Sequence, residues 1–361
     1  MKYASIFGGY AESMQVMIDN SLDRFRPTWY SKYFTFAPPQ TQLTYTSAIG
    51  KSRIEAAASV VDRDSRTPLR SRAAIQKLSG EIPAIREMLT MSEDNYRDFL
   101  ALQSLNVDDQ AKKDQIKDLV FNDVRIVGDS AHKRLDIFAL QAVSTGEIKV
   151  DININPDGLV LDNPIPLLMP SANKINANVA WTTPTTATPI TDITTVINAA
   201  RAKGVTFSKI LMDWSTFVSF GKIKEVVDSL TSFNSGQKGA SLATIDKVNE
   251  YLSANRLPVI EVVNEMIGIE KDGVVGAINP WEVANVAFIP AGNLGVIKHA
   301  IAIEEISRVS GVSYSTFNKA LISKWSENEP FAEYTKVELN AFPALEQIDR
   351  VYLLSTTKAF A

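Results

Sequence analysis

The stretch Leu119–Ile148, LVFNDVRIVGDSAHKRLDIFALQAVSTGEI, decides the fold. From Val120, the apolar residues Val124, Val127, Ala131, Leu135, Phe138 and Ala142 follow at steps of three and four. One buried helical face has that spacing. Lys112, Lys113, Lys117, Arg125, Lys133 and Arg134 fall mostly off this face, and Gly146 supplies a stop. No proline stands between Pro83 and Pro156. A helix from Lys113 to Val143 is about 45 Å long at the α-helical rise. Few compact domains hold so long a helix; it suits a spine along one edge of a flat molecule.

Downstream, Ile148, Val150, Ile152 and Ile154 alternate with polar residues and read as a strand before the Pro156-Asp157-Gly158 turn. Residues 162–189, rich in Pro, Asn and Thr, read as an irregular linker at a change of domain. A βα-like unit then begins. Helices are expected around Ile193–Ala200, Trp214–Leu230 and Ile245–Leu252, and strands at Phe207–Met212, Val259–Val263 and Val286–Ile289. Asp272-Gly273 joins Ile267–Glu270 to Val274–Ile278 as a hairpin turn. Near the C-terminus Tyr334–Leu339 alternates, Pro343 reads as a break, and Val351–Leu354 is a buried-strand candidate.

Upstream, Met14, Met17, Ile18 and Leu22 mark a short amphipathic stretch ended by Pro27. Aromatic residues cluster from Trp29 to Phe36. Leu43–Ile49 is β-prone and is expected to pair back with Ile54–Val61. Lys51–Arg86 is polar, Arg-rich and nearly free of large aromatics. Too little apolar surface is present there to fold alone, so the segment stays disordered or lies on another surface. Thr90 and Glu93 have capping-box spacing ahead of Tyr96, Phe99 and Leu100.

The 361 residues are 45% hydrophobic and 22% charged with net charge -4, which gives a globular chain without a basic footprint for nucleic acid. Cysteine is absent, so disulfides and thiolate chemistry are excluded. Two histidines leave little for general-base or metal chemistry. No signal-peptide pattern and no membrane span are expected.

Three stretches carry a family likeness: Gly80-Glu81-Ile82-Pro83, Ala139-Leu140-Gln141-Ala142-Val143-Ser144-Thr145-Gly146-Glu147-Ile148, and Phe288-Ile289-Pro290-Ala291-Gly292. In their order and spacing the chain resembles the major capsid proteins of tailed bacteriophages, the lambda-type major capsid protein E family. The resemblance implies an α+β tailed-phage capsid fold. It would have an N-terminal arm (1–27), an extended loop (28–88) and a peripheral domain with the spine helix (89–185, completed by 301–361). An axial domain would span 186–300. It also implies a structural virion protein, not an enzyme, with no cofactor. Copies would form hexamers and pentamers of an icosahedral shell, assembled in the host cytoplasm with a scaffold protein and portal. A decoration protein is possible, and double-stranded DNA would lie on the inner face without sequence specificity.

Alternatives remain at this stage. One is an encapsulin-type compartment shell. Another is a soluble α/β ligand-binding protein or enzyme built on residues 190–300, which would need a pocket with convergent polar groups.

Candidate interface residues follow from charge. Arg63, Arg66, Arg70, Arg72 and Lys77 form a basic strip, and Glu327, Glu329, Glu333 and Glu338 are its acidic counterpart. The bland reading of the strip is a solvated loop. Trp29 and Tyr30 read as core, or else as anchors in a neighbour's groove. His132 and His299 read as structural. Asp62-x-Asp64 and Asp108-Asp109 lack the pattern of a calcium loop, and Gly292–Gly295 lacks that of a phosphate loop, so all read as turns or solvated faces.

Overall fold

The computed structural model describes residues 2–3, 11–49, 76–94, 96–97, 109–233 and 243–360, with the backbone alone at 2–3, 11–13 and 109–121. Two compact units emerge. The first comprises Met1–Tyr45, Gly80–Asp136 and Ile297–Pro343; the second comprises Thr46–Ser79, Ile137–Val296 and Ala344–Ala361. The division falls inside the spine helix, which runs over Asp109–Thr145.

That helix is longer than its sequence pattern implies, 37 residues or about 55 Å. Val124, Val127, Ala131, Leu135, Phe138 and Ala142 are all buried, as the periodicity requires. From Leu135 to Ser144, however, every residue is buried, so the C-terminal part is wrapped on all sides. Its exit explains the Gln141–Ile148 stretch. Gly146 takes φ 75°, the left-handed conformation a helix stop needs. Thr145 Oγ1 accepts from Glu147 N (3.1 Å) and donates to Gln141 O (2.8 Å), while Gln141 Oε1 accepts from Lys149 N (3.1 Å). Gln141, Thr145 and Gly146 thus satisfy or shape backbone groups that the ending helix would leave open.

In the first unit a sheet of seven strands runs in the order Lys2–Tyr3, Ala320–Asn328, Phe331–Ala344, Gly295–Ala300, Phe34–Phe36. Ser313–Phe317 joins Ala320–Asn328, and Ala84–Ser92 joins Phe331–Ala344. The latter pair is antiparallel from Ala84↔Asn340 to Ser92↔Ala332. The Gly80–Pro83 stretch therefore leads into a strand, and Thr90 lies within that strand instead of capping a helix. Pro343 does not end its strand, which continues to Ala344. At the N-terminal side the helix Ala11–Asp19 forms, with Met14 and Ile18 buried.

Thr44–Ile49 pairs with Gln76–Glu81; the pairing expected with Ile54–Val61 lies outside the described residues. Its exposed–buried alternation is regular, whereas Gln76–Glu81 buries only Leu78.

The second unit has a sheet of five strands, in the order Val259–Val263, Lys209–Asp213, Asn285–Ile289, Tyr352–Ser355, Lys174–Asn176. Lys209–Asp213 is parallel to Val259–Val263, and Tyr352–Ser355 is parallel to Lys174–Asn176; Asn285–Ile289 is antiparallel to both its neighbours. Strands buried on both faces read as unbroken apolar runs, and Asn285–Ile289 and Tyr352–Ser355 are buried throughout. Helices Pro189–Arg201, Trp214–Phe220, Lys224–Phe233 and Ile245–Ala254 supply Ile193, Val196, Phe217, Phe220, Val226, Leu230, Val248 and Leu252 to its core.

The helix expected over Trp214–Leu230 is two helices broken at Gly221. The alternation at Ile148–Ile154 yields only the two-residue strand Glu147–Ile148, paired with Ile165–Pro166. The stretch read as linker carries the edge strand Lys174–Asn176, held where Asn173 Nδ2 donates to Asp349 O (2.8 Å) and Val351 O (3.0 Å).

One close approach fixes the C-terminal segment of this unit. A Cβ on Gly295 would collide with the carbonyl oxygen of Ala344 and the Cα of Leu345. Backbone passes backbone there with no room for a side chain.

Candidate assembly surface

Of the basic strip, Arg63, Arg66, Arg70 and Arg72 lie outside the described residues. Lys77 is exposed on Gln76–Glu81. Its four acidic counterparts divide into two pairs. Glu329 is exposed and Glu327 half-buried, accepting from Trp325 Nε1 at 3.2 Å. Glu333 and Glu338 are 1% and 4% exposed and belong to the protomer's own interior.

Glu338 is gripped from two sides. Arg86 Nε and Nη2 each donate to it at 3.0 Å, one to each carboxylate oxygen, and Lys336 Nζ lies 3.0 Å away. Burial alone would push its carboxyl up, but these cations outweigh it and hold the carboxyl below the ordinary glutamate range. Lys336 also reaches Glu304 at 3.1 Å. A second buried set surrounds Lys324, whose Nζ donates to Thr335 Oγ1 at 2.9 Å and lies 3.9 Å from Glu333. Burial lowers the Lys324 ammonium against the pull of Glu333 and Asp123. Burial likewise raises Asp123, opposed by Lys324. A bidentate Arg–carboxylate pair and a buried lysine fix how these strands pair, a role within the chain and not at its rim.

Trp29 and Tyr30 are 3% and 2% exposed, so of the two readings offered for them the structure shows core. Tyr30 N donates to Asp136 (2.7 Å), its hydroxyl shares a hydrogen bond with His132 Nδ1 (2.9 Å), and the same oxygen accepts from Asn318 Nδ2 (3.2 Å). Burial pushes the His132 imidazole down to about 4, so it is neutral at physiological pH. Phe317 meets His132 edge-on and stacks on Phe25 at 3.7 Å. His299 is buried against Phe36, and burial lowers its imidazole too. Both histidines are therefore held inside aromatic packing. Among the described residues no three metal-ligating side chains converge, and no helix is long and apolar enough to cross a membrane.

Charge reasoning missed the most exposed apolar group of the second unit. The hairpin Ile267–Lys271/Val274–Ile278 presents Val274 and Val275 at 71% and 66% exposure. The uncharged run Val274-Val275-Gly276-Ala277-Ile278 was the available signal.

No curated protein matches the sequence. Among solved structures the chain is similar to the inferred capsid protein of a prophage of Escherichia coli CFT073, at 14% identity and a TM-score of 0.57, over 98% of this chain and 99% of that one. It is also similar to a phage-related protein from Bordetella bronchiseptica RB50, at 12% identity and a TM-score of 0.49, over 96% and 98% of the two chains. The first likeness shows the tailed-phage capsid fold. The sequence matches the family described as phage major capsid protein E over residues 20–353, nearly its whole length. A chain with this fold and this match belongs to the phage major capsid protein E family, and it is a structural protein of the phage head shell.

Proposed function

We propose that copies of this chain form hexamers and pentamers that close an icosahedral shell around double-stranded DNA, which they contact without sequence preference. Within the segment 28–88, the loop that leaves through Thr44–Ile49 and returns through Gln76–Glu81 is the part that reaches a neighbouring copy; Trp29–Phe36 and the start of Ala84–Ser92 stay with the protomer's own core and sheet. Its exposed Lys77 and the arginines Arg63, Arg66, Arg70 and Arg72 face acidic groups on that neighbour, with Glu327 and Glu329 the available partners. Of residues 186–300, those before the strand Gly295–Ala300 serve as the axial domain, and the long-stranded sheet, which takes in that strand, serves with the spine helix as the peripheral domain. A scaffold protein and a portal direct assembly in the host cytoplasm, and a decoration protein is accommodated on the finished shell.

The observation that carries this reading is the family match across residues 20–353, which leaves the whole chain to a shell role. Support for the charge pairing comes from which charges are already used. Glu333 and Glu338 meet cations of their own chain, whereas Lys77 and Glu329 project into solvent. Opposed charges of this kind set register and encounter rate more than affinity.

Expression followed by negative-stain imaging tests it. Wild type gives closed particles, and the double reversal Arg70→Glu/Arg72→Glu gives folded, soluble subunits without normal shells. Normal shells from the double variant rule out the basic strip. A wild-type chain that stays monomeric at high concentration, alone and with its scaffold protein, rules out self-assembly.

A further inference from the structure

The hairpin Ile267–Lys271/Val274–Ile278 is a sheet of two strands in continuous one-to-one register, with no bulge. Asp272 and Gly273 take φ 52° and 75°, the left-handed pair that a tight two-residue turn needs. Its first strand buries Ile267 and Ile269, but Val274, Val275, Gly276 and Ala277 are all exposed. A two-stranded sheet is marginal in water by itself. Native edges are normally blunted by lysine, proline or a bulge; Val274–Ile278 has none of these.

The turn also fixes which backbone groups point outward. Lys271 and Val274 close the hairpin as a hydrogen-bonded pair, and the bonding alternates along an antiparallel ladder. Gly268 and Glu270 on one strand, and Val275 and Ala277 on the other, thus turn N–H and C=O away from the hairpin. Among the described residues neither outer edge has a backbone partner.

We propose that the edge Val274–Ile278 of one copy pairs with the edge Ile267–Lys271 of the next copy. Successive hairpins then share one ladder around a closed ring of subunits. The occupant is a second copy of this chain, and the inference rests on the shell reading above. Symmetry favours it. Copies related by rotation about one axis present their first strands in one sense and their second strands in the other. A second strand therefore meets the neighbour's first strand antiparallel, with the same geometry at every junction. This head-to-tail contact uses two different surfaces and closes on itself, as a cyclic ring requires. Every outward N–H and C=O gains a partner, and the valines exposed on both faces gain cross-strand neighbours.

Val275→Pro removes one outward donor and leaves the inward ladder of the hairpin intact; Val275→Thr keeps the donor and the β preference while adding a polar group. Particles are counted by negative-stain imaging, and subunit folding is followed by circular dichroism. Val275→Pro is expected to lower particle yield at least about tenfold with folding unchanged, because the lost bond recurs at every junction. Val275→Thr is expected to assemble. Normal particles from Val275→Pro overturn the inference while leaving the shell reading in place. Wild type that forms no particles overturns both.

The cysteine-free sequence gives a second readout. Chains with Glu270→Cys alone and Val275→Cys alone are co-assembled and oxidised. A disulfide joining the two different chains is expected. Cross-linking of Val275→Cys to itself, or no cross-link in intact particles, overturns the head-to-tail pairing.

Discussion

The five-stranded and seven-stranded sheets both bury apolar side chains, such as Ile210 and Phe288 in one and Ile322 and Leu339 in the other, but they differ in the charges buried among them. The first packs Ile210, Met212, Val286, Phe288, Tyr352 and Leu354 against helices in one apolar cluster. The second buries Lys324, Thr335, Glu333, Glu338 and Asn340 along two neighbouring strands. Apolar packing is tolerant of partner identity, provided volume and pattern are kept. Buried charges are not: each must meet its own counter-ion and hydrogen bonds or cost several kcal/mol. Apolar burial stabilises both sheets, and the buried Lys324, Glu333 and Glu338 add to the second a penalty for any register that parts them from their partners.

Substitutions in each sheet put that contrast at risk. The largest effect is expected from Phe288→Ala, which leaves a cavity under the five-stranded sheet and costs about 3–5 kcal/mol in urea unfolding. A cost near that of a surface change would mean the cluster does not carry this unit. Lys324→Met, which takes a buried cation from beside Glu333 and Asp123, is expected to cost about 3 kcal/mol, and adding Glu333→Leu should restore part of it. If the double variant is as weak as the single, the charges are not acting as a pair.

A pH experiment separates the units without mutation. The His132 imidazole is depressed in the folded state to about 4. Its neutral form is the one the fold accepts. That stability is complete above the unfolded value near 6.5 and is lost as pH falls toward the folded one. Between about pH 7 and pH 5 the loss is on the order of 2 kcal/mol, and His132→Gln should flatten it. Hydrogen exchange should show the loss in the first unit, and equal acid loosening of both units would contradict the contrast. A smaller effect, about 1 kcal/mol, is expected from Asp213→Ala, which removes the N-cap accepting from Ser215 N at 2.8 Å. Smallest is Lys224→Ala, which breaks an exposed helical pair with Asp228 and should change the urea midpoint by less than about 0.5 kcal/mol equivalent.

Legibility in sequence follows the same divide. Val259–Val263 and Val286–Ile289 are apolar runs whose length and β-branching identify strands, and the structure places them to within a residue. The spine helix announces itself through apolar residues at helical steps from Val120 to Ala142. Glu338 looks like a solvent-facing residue, because its partner Arg86 arrives from afar. Arg86 and Glu338 are 252 positions apart, and no local spacing encodes such a pair. The pairing of Thr44–Ile49 with Gln76–Glu81 is hidden for the same reason: that partner is a distant and polar strand. Of the proposed assembly surface, the charges of the basic strip could be read from composition. The uncharged run Val274–Ile278 marks a strand, but its exposure could not be read from it, since the apolar run Val286–Ile289 is buried.

Gly295 sets a limit on how this chain can diverge. A fold shared with a prophage protein at 14% identity has exchanged most of its side chains. Yet the carbonyl of Ala344 occupies the space where any other residue at 295 would begin. Drift can rewrite the hydrophobic interior one compensated swap at a time, but at this crossing there is no smaller neighbour to trade against. Saturation libraries of the protein should therefore come back from an assembly selection with a single letter at that site.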